Sequence, residues 1–254
     1  MKIVESFNAD EAWLYNDSYL FIKGYATGLE LNQTLKALPL ARKFHNGQYR
    51  KGEITIKGKK YKLPYVLHVL KVCSTLISLH LPLTNKELDL LLACALLHDS
   101  LEDAGTYFPK GGIELVNNYQ FSTELFDIIK LLSKEPGASE DELDKYFNMI
   151  KRNKFATLIK LADRSHNVED LYVMKPEKLH KYVTETRTWI YPLATYGKAT
   201  YPELSNGFTI LKAKIVSLTE CTETIIDLYE ELIQSKDAEI ALLKEKLKEN
   251  ENND

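Results

Sequence analysis

Residues Leu91 to Leu97, LLACALL, are apolar all the way round a helical wheel. A helix there has no face to give to water and belongs inside the protein. The run ends in HDSLED, residues 98 to 103. Isolated charges are costly to bury, so His98, Asp99, Glu102 and Asp103 need a metal, a substrate or one another. A chain of 254 residues, 44% of them hydrophobic, is long enough to enclose such a helix in one domain with appendages.

The surrounding pattern is helical. LNQTLKALPLARKFHNG, PYVLHVLKVCSTLISLH, NKELDLLLACALLHDSLEDAG, STELFDIIKLLSKE, SEDELDKYFNMIKRN, KFATLIKLADRSHNVEDL and KLHKYVTETRTWIYPLATYG each carry apolar residues three or four apart. Pro64, Pro82, Gly105, Pro109, Gly111-Gly112, Pro136-Gly137 and Gly197 punctuate them. This predicts an all-α helical bundle. EITIKGKKYKLP, residues 53 to 64, alternates apolar and polar residues around Gly58-Lys59 and predicts one inserted β-hairpin. The expected organisation is an aromatic N-terminal segment, 1–30, packing on the core, then a catalytic domain, 31–204, and a C-terminal helix with an acidic tail, 205–254. In that last part Ile240, Leu243 and Leu247 fit a short coiled coil and a homo-oligomer, or equally a surface helix.

A net charge of −3 gives no global reason to bind nucleic acid or an anionic membrane. Cys73, Cys94 and Cys221 lack metal or redox spacing, and no apolar run reaches the length of a membrane span. A soluble, cytoplasmic protein is expected.

His98-Asp99 alone is a weak signal, because a satisfied core histidine is the commoner outcome of such a pair. His68 in VLHVLKV and Asp163 in LIKLADR strengthen the metal reading, because each sits in an apolar helical context that penalises an unpartnered polar group. Together His68, His98, Asp99 and Asp163 make a two-imidazole, two-carboxylate set suited to Mn²⁺, Fe²⁺ or Zn²⁺, with positions left for water and a phosphate oxygen. Glu102 and Asp103 lie four residues beyond His98 and Asp99, within reach of a water whose proton they would accept. Asn167, four beyond Asp163, offers an amide to a base or sugar. Arg50 and Lys51, after the loop FHNGQ, would meet phosphate or stack on a base.

Five blocks in order resemble the hydrolase domain of RelA/SpoT enzymes: ARKFHNGQYRKG (41–52), PYVLH (64–68), ACALLHDSLEDAG (93–105), IKLADRSHN (159–167) and ETRTWIYPLATYG (185–197). The chain length resembles the stand-alone small alarmone hydrolases. The resemblance implies an all-helical HD domain and metal ligands at His68, His98, Asp99 and Asp163. It implies water activation by Glu102 and Asp103, with nucleotide contacts from Arg50, Lys51 and Asn167. The implied reaction is Mn²⁺-dependent hydrolysis of the 3′-pyrophosphate of ppGpp or pppGpp. Some 55 residues follow Gly197, which leaves the expectation of no synthetase or regulatory domain after it.

Three departures stand out. The stretch between Arg50 and His68 is longer than the family's usual spacing, and the hairpin falls there. Ser165 stands where leucine is usual, a packing change. Glu169 and Asp170 stand where many bacterial members carry Arg-Thr, so a stretch near the substrate is acidic unless Lys57, Lys59, Lys60 and Lys62 restore the charge. The competing readings are a phosphatase on another nucleotide such as NADPH and a non-catalytic nucleotide-binding module.

Overall fold

The computed structural model describes residues 9–56, 58–134, 137–169, 171 and 176–251, so Lys57 and Asp170, singled out in sequence, lie outside the described residues. Helices α1 (Ala9–Gly28) and α2 (Asn32–Phe44) are followed by a hairpin of β1 (Tyr49–Ile56) and β2 (Lys59–Pro64). Then come α3 (Val66–Ser78), α4 (Asn85–Leu97), the short α5 (Ser100–Asp103) and α6 (Glu114–Asn117), α7 (Thr123–Leu132), α8 (Glu140–Ile150) and α9 (Lys154–Glu169). The last helices are α10 (Pro176–Glu185), α11 (Tyr191–Thr200) and α12 (Ser205–Glu251). The fold is an all-α bundle with one inserted hairpin and a long C-terminal helix.

Several helix starts are written locally. Thr84 with Glu87 and Ser139 with Glu142 form capping boxes that satisfy the first amides of α4 and α8. The start of α2 is not: Leu31 caps nothing, and Asp89 of α4 instead accepts from the Gln33 and Thr34 amides at 2.9 and 2.7 Å. A carboxylate from a neighbouring helix thus stands at the positive end of α2 and fixes the two helices together.

Helices α3, α4 and α9 form the centre and touch one another. Leu90 through Leu97 are buried without exception, which answers the all-apolar run. In α9 the buried set runs from Phe155 to Ala162 apart from Lys160, then continues through Asp163, Arg164, Ser165 and His166. Ser165 is satisfied within its own helix, its hydroxyl donating to the Ala162 carbonyl at 2.9 Å. Cys73 and Cys94 are buried free thiols and Cys221 is exposed. No helix of the described residues is long and apolar enough to cross a membrane.

Two expected continuous helices are interrupted. The segment from Asn85 onward turns at His98 and Asp99, where Asp99 has ψ 0°, and restarts as α5. A residue at that ψ leaves the helical ladder, and the chain re-aims the acids that follow. The segment ending at Gly197 widens into a π-turn over Thr186–Ile190, with the Tyr191 amide donating to the Thr186 carbonyl. Pro192 supplies no amide to the ladder just beyond, and the wider turn accommodates its ring. The hairpin also starts earlier than the alternation indicated. β1 begins at Tyr49 and passes an irregularity before Glu53, then pairs Glu53 with Lys62, Ile54 with Tyr61 and Thr55 with Lys60. Gly58 takes φ 77° at the tip, a conformation that costs glycine little. Tyr61 is met edge-on by Trp13 of α1 at 5.6 Å.

Glycine substitutions separate propensity from packing. A Cβ at Gly24 of α1 meets nothing within 4 Å, whereas one at Gly197 of α11 would lie 2.6 Å from the Phe208 ring of α12. Gly24→Ala should therefore stabilise by roughly 0.5–1 kcal/mol. Gly197→Ala should destabilise by about 1–3 kcal/mol despite the same gain in propensity. Thermal unfolding of the two variants should shift Tm in opposite directions.

Candidate metal centre and its cleft

Each candidate ligand reaches the centre from a different piece of the trio. His68 sits in the first turn of α3, His98 and Asp99 at the turn after α4, and Asp163 three-fifths of the way along α9. His68 Nε2 is 3.4 Å from Asp99 Oδ2 and 3.1 Å from Asp163 Oδ1. His98 Nε2 is 3.1 Å from Asp99 Oδ2 and 3.9 Å from Asp163 Oδ1. The ligand atoms of His68, His98 and Asp163 all lie within 4.8 Å of one another. Two atoms bonded to a common ion at 2.0–2.2 Å are about 2.9–3.6 Å apart, so most of these separations are those of a shared ion.

The outer nitrogens fix the tautomers. His98 Nδ1 lies 2.9 Å from the Ala95 carbonyl and must donate to it, so Nε2 turns a lone pair inward. His98 Nε2 is buried and makes no hydrogen bond. His68 Nδ1 lies 2.7 Å from His166 Nδ1. Burial, with help from His68 and Arg50, lowers the His166 pKa to about 3, so His166 is neutral; with His166 Nδ1 as acceptor, His68 would donate from Nδ1 and leave Nε2 free for an ion. Two nitrogen lone pairs and two carboxylate oxygens then face one point. Something positive must occupy it, a proton or a metal ion.

The acids and amides around the cluster occupy distinct places. Glu102 and Asp103 are on α5 and exposed. Burial of their inner edges raises both carboxyl pKa values, with Asp99 adding to the effect. Glu102 Oε1 accepts from the Lys134 amide at 2.5 Å, and the Asp103 carboxylate lies in hydrogen-bonding reach of Tyr65. Asn167 is turned inward: its Nδ2 donates to Asp163 Oδ1 at 2.6 Å while its Oδ1 accepts from Arg50 Nη2 at 3.0 Å. Arg50 and Lys51, expected in a loop, lie on β1. Lys51 is exposed. The hairpin lysines look to the hairpin itself, with Lys60 pairing with Glu53 at 3.5 Å and Lys59 lying over the Tyr61 ring. The acidic Glu169 is paired with Lys214 of α12.

Five residues absent from the sequence expectations complete the surroundings. Tyr65 donates to Asp99 Oδ2 at 2.8 Å, and His45 lies against the Tyr65 ring with its own Nδ1 on Gln48. Lys160 holds Asp163 Oδ2 at 3.1 Å, and its pKa is raised because Tyr146 and Asp163 outweigh burial. His166 is the fourth. Buried Arg164 is the fifth: it donates to Glu185 at 2.5 Å and Thr186 at 3.1 Å and lies over the Tyr182 ring at 4.2 Å. The helical spacing was a usable signal, since Lys160 and His166 flank Asp163 by three residues on the same buried helix.

No protein-family model matches the chain. It is 30% identical over 190 residues to the bifunctional (p)ppGpp synthase/hydrolase SpoT of Escherichia coli (strain K12), covering 72% of this chain and 24% of that protein. It is 32% identical over 162 residues, 61% of this chain and 21% of that protein, to the guanosine-3′,5′-bis(diphosphate) 3′-pyrophosphohydrolase of Haemophilus influenzae. A probable GTP pyrophosphokinase of Mycobacterium leprae is 29% identical over 137 residues, 52% of this chain and 16% of that protein. The chain belongs to the RelA/SpoT family. It spans about a quarter of the length of the SpoT protein it matches.

Metal and proton compete for the same lone pairs. Burial pulls the His98 pKa down, but Asp99 and Asp163 carry it well above 6.5. Burial is likewise outweighed at Asp99 by His98 and His68, and at Asp163 by Lys160 and the histidines, so both fall well below 3.8. In the metal-free chain the His98 contribution to stability is full below its unfolded pKa and fades as pH rises through the raised folded value. The aspartate contributions are present above their unfolded pKa and fade as pH falls through the lowered ones. A divalent ion must displace the His98 proton, so the rise in Tm on adding Mn²⁺ should be larger at about pH 8 than at about pH 6. Scanning calorimetry with and without Mn²⁺ checks this, and Asp163→Ala should abolish the Mn²⁺-dependent shift at both.

Proposed function

We propose that the chain is a Mn²⁺-dependent hydrolase that removes the 3′-pyrophosphate from (p)ppGpp-type alarmone nucleotides. The supporting observation is the cluster itself: four inward-facing ligand atoms of His68, His98, Asp99 and Asp163, next to two open carboxylates of raised pKa. The set of two imidazoles and two carboxylates, without thiolate, fits a borderline-to-hard ion such as Mn²⁺. When bound, such an ion polarises a phosphoryl oxygen and lowers the pKa of water. The printed names of the relatives cover both synthesis and hydrolysis of these nucleotides. Carboxylate bases beside a divalent-ion cluster favour hydrolysis.

The chain's own groups then divide the work. Glu102, with Oε1 engaged by the Lys134 amide, keeps Oε2 to orient a water and take its proton. Asp103, beside Tyr65, is the second acceptor. Lys160 ties back Asp163 Oδ2 and so directs Oδ1 toward the cluster. Arg50 is the hairpin's cation at the site and meets the substrate's phosphates or base, with Lys51 beside it on the strand. Asn167 links Arg50 to Asp163 and, once nucleotide draws Arg50 away, offers its amide to the base. On this reading the protein acts in the cytoplasm on a free nucleotide, with neither nucleic acid nor membrane as partner.

Incubation with ppGpp, ppApp and NADPH, each with Mn²⁺, followed by ion-exchange separation of products, tests the reading. Release of pyrophosphate from a 3′-pyrophosphorylated nucleotide is expected. Orthophosphate from NADPH alone would replace it with the phosphatase, and no turnover of any of the three would leave a binding module.

Glu102→Gln keeps the shape and removes the proton acceptor, so kcat should fall roughly 10²-fold or more while Mn²⁺ stays bound. The base must be ionised to act. Because burial raises both carboxyl pKa values, the acid limb of the kcat/KM profile should lie above the ordinary carboxylate range. In Asp103→Asn, where one of the two titrations is removed, that limb should become simpler.

The hairpin gives a separate comparison. Arg50→Ala should raise KM with a smaller effect on kcat. The triple change of Lys59, Lys60 and Lys62 to Ala should leave KM within about twofold, because Lys59 and Lys60 are engaged within the hairpin and all three are exposed. Steady-state kinetics on both variants at two salt concentrations decides between them.

A further inference from the structure

Helix α12 is 47 residues long, about 70 Å at 1.5 Å per residue, and only its first half has anything to pack on. Phe208, Leu211, Ile215 and Ile226 are buried, the last in a small cluster with Val168, Leu171 and Leu179. From Asp227 to Lys246 every residue is exposed. That free stretch nevertheless carries an apolar line, flanked by the exposed Leu228, Leu232 and Leu242. Tyr229, Ile233, Ile240 and Leu243 are each about half exposed, and with Ile226 behind them, Leu247 ahead in sequence and Lys236 as the one charged member they fall at alternating intervals of three and four. The assignment is a at Ile226, Ile233, Ile240 and Leu247, and d at Tyr229, Lys236 and Leu243. A solvated single helix has no physical use for seven-residue spacing of isoleucine.

We infer that residues 229–251 of α12 pair with the same residues of a second copy of the chain as a parallel, in-register, two-stranded coiled coil. β-Branched isoleucine at the a positions of Ile233 and Ile240, with leucine at the d position of Leu243, favours two strands. The flanking charges choose the direction. In the parallel arrangement Glu239, at g, stands opposite Lys244 of the second copy, at e, and symmetry repeats the pair. In the antiparallel register that sets Ile233 against Leu243 of the second copy, Glu239 faces Glu239 and Asp237 faces Asp237, which is repulsive. The one polar seam residue also fits. Lys236 is held by Glu239 on its own helix at 2.7 Å, so its ammonium is directed off the seam toward the flank, where Glu239 and the second copy's Lys244 neutralise one another. A charged residue at one core layer costs stability and fixes register. The seam begins where the helix leaves the body, and the domain contact beside it is the exposed pair of Glu230 with His180 of α10 at 2.9 Å.

Sedimentation equilibrium on the full chain should give twice the 29.2 kDa of the monomer at micromolar concentration. Ile233→Asp/Ile240→Asp should be monomeric with an unchanged far-ultraviolet helix signal from the domain, since both side chains are exposed in the single chain. Lys236→Leu should tighten the dimer at least tenfold. Glu239→Lys should weaken it, and adding Lys244→Glu should restore it. In a Cys221→Ser background, Lys236→Cys should cross-link to itself on mild oxidation, as only a parallel in-register pair permits. A monomer at all concentrations overturns the inference, as does a trimer, a dimer insensitive to Ile233→Asp/Ile240→Asp, or a dimer in which Lys236→Cys fails to cross-link.

Discussion

The protein is organised around an imbalance that its own atoms do not resolve. Two imidazole nitrogens are each brought within 3.1–3.9 Å of two carboxylate oxygens by three buried helices. In water such a set would drift apart, and inside a protein it is held only because α3, α4 and α9 have nowhere else to go. Leu90–Leu97 makes α4 rigid by being buried on every side. The layer outside the cluster is equally determined. The Ala95 carbonyl, His166 and Lys160 engage the outer atoms of His98, His68 and Asp163, while Tyr65 and Asn167 donate to the cluster oxygens themselves, Asp99 Oδ2 and Asp163 Oδ1. Tautomer and ring orientation are thereby set before any ion arrives, the condition under which a metal site binds without reorganising.

A second, electrically opposite, arrangement lies one residue further along α9. Arg164 points away from the cluster into Glu185, Thr186 and the Tyr182 ring, and its pKa stays high because Tyr182 and Glu185 outweigh burial. Asp163 and Arg164 are thus adjacent in sequence but serve different interfaces, one the His-Asp cluster and the other the join between α9 and the π-turn. The block ETRTWIYPLATYG owes its Glu and Thr to this join. Its π-turn places Thr186 and Glu185 together at the guanidinium, and Trp189 stacked on Phe147 at 5.4 Å secures the far side.

How far the sequence reaches depends on whether a signal is local. The all-apolar run, the capping boxes and the three-and-four spacing are local, and α2, α3, α7, α8 and α9 lie within a few residues of where periodicity puts them. The four candidate ligands were legible because burying an unpartnered polar group is penalised wherever the chain goes. The break at His98-Asp99 was not, since helix propensity runs through it and only the hydrogen bond from His98 to Ala95 and the backbone turn at Asp99 interrupt the ladder. The cap of α2 by Asp89 was illegible for the opposite reason: it links residues far apart in sequence. Asn167 looked like a group waiting for a base because its spacing gave the face but not the partner, and its partner in the free chain is Asp163.

The hairpin bears on how such a protein can change. Its two ends are pinned, Tyr49 across from Pro64 and Arg50 through Asn167 to Asp163, while its tip at Gly58 projects away with exposed neighbours. Added residues at the tip lengthen a ribbon outward and leave His68, four positions past the lower pin, where it was. Length variation in this lineage therefore has a safe address. The same address is a natural point for grafting: a reporter or recognition loop inserted at the turn would stand outward from the body without entering the folding core.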